Sequence, residues 1–114
     1  MSSHLFAYGS LVVPEVMQAV TCRSFRHAEA RLHGFARHML EGRVYPGVTE
    51  AGGCTTEGRV YFDLDEDALA RLDYFEADEY VRRTLEVEVE GESPALAFVY
   101  VIPDHLADLA TDDV

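Results

Sequence analysis

Two short stretches far apart in the chain carry the residue types from which a catalytic pocket can be built. His4-Leu5-Phe6-Ala7-Tyr8-Gly9-Ser10-Leu11 runs an apolar strand into a Gly-Ser turn, and Leu72-Asp73-Tyr74-Phe75-Glu76 brings a carboxylate to the end of an apolar helical stripe. Gly9 has no side chain, so a ligand can approach the backbone closely there. The loop that follows can turn N–H groups toward a carboxylate or a developing oxyanion. Glu76 lies four residues after Leu72 and seven after Leu69, close to the apolar face of the helix. Burial of a carboxyl group penalises its charged form and raises its pKa, the tuning a general acid/base needs near neutral pH. The same wheel position also suits a Glu76 that caps a neighbouring backbone or pairs with Arg82 or Arg83. Asp73 falls further round toward solvent, and Asp78 and Glu79 follow the expected helix end.

Other chemistries find less support. The chain has nine Arg and no Lys, which removes Schiff-base chemistry and any pyridoxal-phosphate anchor. Ser10 lacks the Gly-x-Ser-x-Gly elbow of a serine nucleophile, and no His stands near Cys22 or Cys54 in sequence. Those two cysteines form no Cys-x-x-Cys pair and read as reduced cytosolic thiols. His27, His33 and His38 match no strong ligand spacing, so no metal is expected. Tyr45, Tyr61, Tyr80 and Tyr100 read as core or pocket wall, where any one of them can place a hydroxyl on a ligand.

The size of the chain limits what can position these groups. At 114 residues it reads as one domain over 1–114, with apolar residues spread along its whole length around one core. A net charge of −12 argues against nucleic acid and anionic membrane as partners. No apolar run approaches the roughly 20 residues that cross a bilayer, and Met1-Ser2-Ser3-His4 does not open a signal peptide. The expectation is a soluble, cytoplasmic protein.

The pattern along the chain is strand-rich. Residues 4–8 read as a buried strand stopped by Gly9-Ser10, and residues 13–20 as a short helix with Pro14 at its first position. Residues 25–40 read as a long bent strand or a strand pair, with Gly34 marking a bulge. Pro46-Gly47 signals a turn, 50–56 a Gly-rich loop and 57–62 another strand. Asp63 or Asp65 caps a helix with the stripe Ala68, Leu69, Leu72 and Phe75. Alternation of Val81, Leu85, Val87 and Val89, and then of Leu96, Phe98, Tyr100 and Ile102, predicts an antiparallel hairpin turned near Gly91. The acidic tail from 103 to 114 reads as a short helix or a frayed end. Many strands with two or three short helices predict an α+β fold, a small mixed, mostly antiparallel β-barrel whose mouth is a natural pocket.

Taken in order, Tyr8-Gly9-Ser10-Leu11, Tyr45-Pro46-Gly47, Glu57-Gly58-Arg59-Val60-Tyr61, Leu72-Asp73-Tyr74-Phe75-Glu76 and Glu79-Tyr80-Val81-Arg82 resemble the γ-glutamylcyclotransferase-like family, which includes the γ-glutamylamine cyclotransferases and the plant avirulence-induced proteins. The resemblance runs from Leu5 to about Val101. It implies a small mixed barrel, an acid/base at Glu76, and a loop from Tyr8 to Leu11 that holds a glutamyl head group. It implies that the α-amine of a small γ-glutamyl substrate attacks its own γ-carbonyl, expelling an amine and closing 5-oxoproline without cofactor. Ala77 stands where the family usually has Gly. Two other readings remain open at this point: a non-catalytic small-molecule binding module using the same pocket, and an acidic protein binding a basic partner. Neither the leaving amine nor the oligomeric state follows from the sequence.

Overall fold

The computed structural model describes residues 3–39, 46–76 and 80–101. Its elements are β1 (Ser3–Ala7), a 3-10 turn (Ser10–Val12), α1 (Pro14–Thr21), β2 (His27–Met39), β3 (Pro46–Leu64), α2 (Glu66–Glu76), β4 (Val81–Val89) and β5 (Ala95–Val101). The five strands close in the order β1-β3-β2-β4-β5. All pairs are antiparallel except β1 with β5, which run parallel through Leu5 and Phe98. The fold is therefore the small mixed barrel that the strand pattern predicts. Tyr45, Ala77 and the acidic tail lie outside the described residues.

Strand alternation explains why the chain opens with a continuous apolar run. Successive side chains point to opposite faces, so Phe6 and Tyr8 join the barrel interior with Leu32, Val60, Val87 and Val99. Leu5 and Ala7 face the other way, into a second cluster with Leu11, Met17, Tyr61, Ala68, Leu72 and Tyr100. That cluster lies between the barrel wall and the two helices. β1 is buried on both faces, and a strand so placed reads as apolar throughout.

The β2–β3 hairpin differs from the sequence expectation in two places. Pro46 and Gly47 do not turn the chain: they pair with Met39 and His38 at the start of β3. The Gly-rich stretch 50–56 is not a free loop either, because β3 runs through it as one 19-residue strand. The register shifts between His33 and Phe35, where Gly34 adopts φ +85°, so residues 51–54 bulge without leaving the strand. Pairing along the 13-residue β2 overrides the poor strand propensity of the two glycines. Phe75 also departs from its expected place in the buried stripe, being 48% exposed, whereas Ala68 and Leu72 are fully buried. Among the described residues, no helix is long and apolar enough to cross a membrane.

Gly58 decides how closely β1 can pack. A Cβ built there would press into the Ala7 carbonyl oxygen and stand 2.8 Å from the tip of the Phe6 ring. Neither can retreat easily, since Ala7 is fixed in the sheet and Phe6 is 1% exposed in the core. Gly58→Ala should destabilise the protein by about 1–3 kcal/mol, the usual range for overpacking. Urea unfolding would show this as a lower midpoint at unchanged slope.

Candidate active site

The loop after β1 is held from beneath. The Val12 N–H donates to the Gly9 carbonyl at 3.0 Å, closing the 3-10 turn. The N–H groups of residues ahead of that bond have no acceptor within the turn, as at the start of any helical segment. The carbonyls point the other way, toward β3. The Tyr61 hydroxyl donates to the Leu11 carbonyl at 2.6 Å, with the Val12 carbonyl 3.1 Å away. Arg59 Nη1 donates to the Val12 carbonyl at 2.9 Å, while its Nη2 binds Glu29 at 2.8 Å. Tyr61 and Arg59 alternate with Val60 along β3 and so stand on the same outer face of the strand. Burial pushes the Tyr61 hydroxyl above its ordinary pKa, and Arg59 beside it opposes that shift.

The second half of the site rides on α2. Asp65 caps this helix, its Oδ1 accepting from the Ala68 N–H at 2.9 Å, and Glu66 and Asp67 add negative charge to the first turn. The same backbone bond, then the neighbouring Arg23, holds the Asp65 carboxyl below its ordinary pKa. Leu72 anchors the helix on the apolar cluster, and Glu76 is its last residue. Asp73, expected to point toward solvent, is indeed half-exposed, yet it is bonded on both oxygens. The Tyr100 hydroxyl donates to its Oδ1 at 2.7 Å, and Arg82 lies 3.0 Å from Oδ2. The Tyr8 hydroxyl in turn donates to the Tyr100 carbonyl.

These bonds bring most of the residues singled out in the sequence to one end of the barrel. Tyr8 is buried at the end of β1, Leu11 is buried in the helix-side cluster, Tyr100 is buried in β5, and Tyr80 packs half-buried against the same cluster as Leu72. Gly9 and Ser10 lead into the turn above them. Of the Arg partners weighed for Glu76, Arg82 pairs with Asp73 and Arg83 lies 3.5 Å from Glu50. The helix wheel gave no hint of Asp73's partners, because they come from β4 and β5. The sequence signals for them are Arg82 at the start of β4 and Tyr100 near the end of β5. A groove of about 700 Å³ between α1 and α2, lined by Val20, Arg71, Tyr74 and Phe75, opens on the opposite face of α2 from Asp73. His33 serves the barrel surface, bonding Thr55 at 3.0 Å and Glu88 at 2.8 Å. Cys22 and Cys54 are free and exposed.

Residues 5–113 match the family described as gamma-glutamyl cyclotransferase, AIG2-like. The chain belongs to that family. Among its relatives is AIG2-like protein C of Arabidopsis thaliana, 42% identical over 92 residues, a match covering 81% of this chain and 54% of that protein. A solution structure of an Arabidopsis thaliana protein superimposes with a TM-score of 0.83 at 28% identity, covering 96% of this chain and 75% of that one. A structure named gamma-glutamyl cyclotransferase matches with a TM-score of 0.77 at 20% identity over 90% of this chain and 68% of that one, a likeness of fold. The chain spans about half the length of the AIG2-type relatives it matches. The resemblance carried by the five motifs is thus the correct family, and the barrel is the family's barrel.

The anchoring of the Gly9 turn from β3 has a measurable signature. Tyr61→Phe removes the hydroxyl that holds the Leu11 carbonyl and should cost about 1 kcal/mol in chemical denaturation. Because the folded pKa of Tyr61 is raised, the unfolded chain ionises first. Wild-type stability is therefore complete below pH about 10 and declines as pH rises past the ordinary tyrosine pKa toward the higher folded value. Tyr61→Phe should flatten that alkaline decline, and an unchanged slope would show that Tyr61 does not carry it.

Proposed function

We propose that the protein is a γ-glutamyl cyclotransferase acting on a small γ-glutamyl amine or amino acid, with Glu76 as general acid/base and the Tyr8-Gly9-Ser10-Leu11 turn as the holder of the glutamyl head group. The observation that carries the reading is the linkage of these two segments through Tyr100. Its carbonyl accepts from Tyr8, the residue that opens the turn, and its hydroxyl binds Asp73, three residues before Glu76. Membership of a family described as cyclotransferases supports the same reaction.

The reaction asks little of the protein beyond placement and proton transfer. The substrate's α-nitrogen must lose a proton before it can attack, and a carboxylate at Glu76 can accept it. Attack of that nitrogen on the γ-carbonyl forms the new C–N bond of the five-membered ring and puts negative charge on the carbonyl oxygen. Collapse of this intermediate breaks the bond to the departing amine, which takes up the proton held by Glu76. The ring nitrogen, which still carries two protons after the attack, gives one of them through the freed Glu76 carboxylate to the released amine, which departs as the ammonium. Backbone N–H groups at Gly9 to Leu11 bind the α-carboxylate or the developing oxyanion. Folding the substrate back on itself within a fixed site supplies proximity, since both reacting groups belong to one molecule. No step needs a covalent link to the enzyme.

Mass-spectrometric detection of 5-oxoproline from a panel of γ-glutamyl amino acids, γ-glutamyl amines and glutathione tests the proposal. The wild type should release product from at least one class. Glu76→Gln should lower that rate by about 10²–10⁴-fold, the usual contribution of a positioned acid/base, with the fold intact. A Glu76→Gln variant as fast as wild type would remove Glu76 from this role. Saturable binding without any product would instead make the protein a binding module.

A further inference from the structure

Asp73 occupies a position that helix energetics alone disfavour. It sits in the last turn of α2, where the helix dipole is negative, and three residues from a second acid, Glu76, so that two like charges share neighbouring turns. No basic residue lies in that last turn to compensate. Compensation comes from the barrel. Arg82 at the start of β4 lies 3.0 Å from Asp73 Oδ2, and its guanidinium is itself steadied over the Phe98 ring of β5, 4.5 Å from the centroid. The other oxygen takes the Tyr100 hydroxyl at 2.7 Å. One carboxylate therefore ties the end of α2 to β4 and β5 at once.

Global stability is a poor explanation for this arrangement. The Asp73 and Arg82 side chains are 45% and 31% exposed, and ion pairs so open to water contribute little. Leu72 already fixes the helix to the apolar cluster. What the two bonds to Asp73 add is direction: they fix the rotation and height of the last helical turn, the part of any helix that frays most readily. The same Tyr100 whose hydroxyl meets Asp73 receives the Tyr8 hydroxyl on its carbonyl. The end of α2 and the start of the glycine turn are thus set against a common reference.

We propose that Asp73 is a positioning residue for the cyclisation, acting through Glu76: held by Tyr100 and Arg82, it sets the last turn of α2 at the height from which Glu76 meets a substrate seated on the Tyr8–Leu11 turn. The role rests on the reading of Glu76 as the acid/base. It does not place Asp73 in contact with the reacting atoms. Misplacement of a catalytic group by about 1 Å can cost about 10²-fold in rate, so the loss should fall on kcat while KM stays close to wild type.

The test is steady-state 5-oxoproline release by wild type, Asp73→Asn, Tyr100→Phe and the double variant, on the substrate the wild type turns over fastest, well below the lowest melting temperature of the set. Asp73→Asn should lose about 10²-fold in kcat with little change in KM. Tyr100→Phe should lose part of this. The double variant should be no slower than Asp73→Asn, because both changes break one unit. Circular dichroism and thermal melts establish that each variant is folded; if Asp73→Asn is not, Tyr100→Phe carries the test alone through the same split of kcat from KM. Folded variants with wild-type kcat, or with a loss confined to KM, overturn the positioning role and leave the cyclotransferase standing. A wild type that yields no product from any γ-glutamyl compound overturns both.

Discussion

The double burial of β1 is the constraint on which the rest depends. This strand closes the barrel by pairing with β3 on one side and β5 on the other, and it carries a packed layer on each face. Its two faces join the barrel interior to the helical layer through a single five-residue element. Because both faces are filled, the strand cannot slip by one residue without exchanging Phe6 for Leu5 and Tyr8 for Ala7, which differ in size. Register at β1 therefore fixes where the chain emerges at Tyr8. The proposed site begins at that exit.

Two polar devices carry this register outward. On the β3 side, Tyr61 and Arg59 grip the Leu11 and Val12 carbonyls, turning the glycine loop so that carbonyls face the barrel wall. On the β5 side, the backbone and side chain of Tyr100 connect Tyr8 to Asp73 and hence to the end of α2. The interior of the barrel is mainly apolar and supplies rigidity, its Thr56 hydroxyl satisfied by the Phe35 carbonyl. Polar groups that matter sit at its rim, where hydrogen bonds can be directional and a ligand can reach them. This division explains why a chain of modest size can give a fixed site while leaving most of its acidic residues to the surface.

The period-2 strands were legible because their two faces differ. In β4, Leu85, Val87 and Val89 take the barrel side as their alternation predicts, although Val81 is 46% exposed, and β1 shows the unbroken apolar run of a doubly buried strand. In β5 the inward residues are Ala97, Val99 and Val101 rather than the expected Leu96, Phe98 and Tyr100, because that strand is apolar on both faces. Phe98 and Tyr100 therefore join the helix-side cluster, and Leu96 is 64% exposed. The Gly-rich stretch of β3 was not legible as strand, since its pairing is dictated by β2 across the hairpin and no local propensity reports that. The helix wheel placed Glu76 beside Leu72 and Leu69 and placed Phe75 in the same stripe. Phe75 instead borders the groove between α1 and α2, half-exposed, because α1 covers only part of that face. Asp73 shows the deeper limit: its exposure was foreseen, but its partners are far away in sequence and become visible only when β4 and β5 are folded alongside α2. The position of Tyr8 was legible, whereas the use of its hydroxyl against a backbone carbonyl on β5 was not.

The most direct test of the account is a crystal structure of Glu76→Gln with an uncleaved γ-glutamyl compound bound. The compound's α-carboxylate should accept hydrogen bonds from the backbone N–H groups of residues 9–11, with its α-nitrogen within hydrogen-bond reach of the residue 76 side chain. A compound seated elsewhere, for instance in the groove lined by Arg71, Tyr74 and Phe75, would contradict the assignment of the site to the rim between β1 and α2.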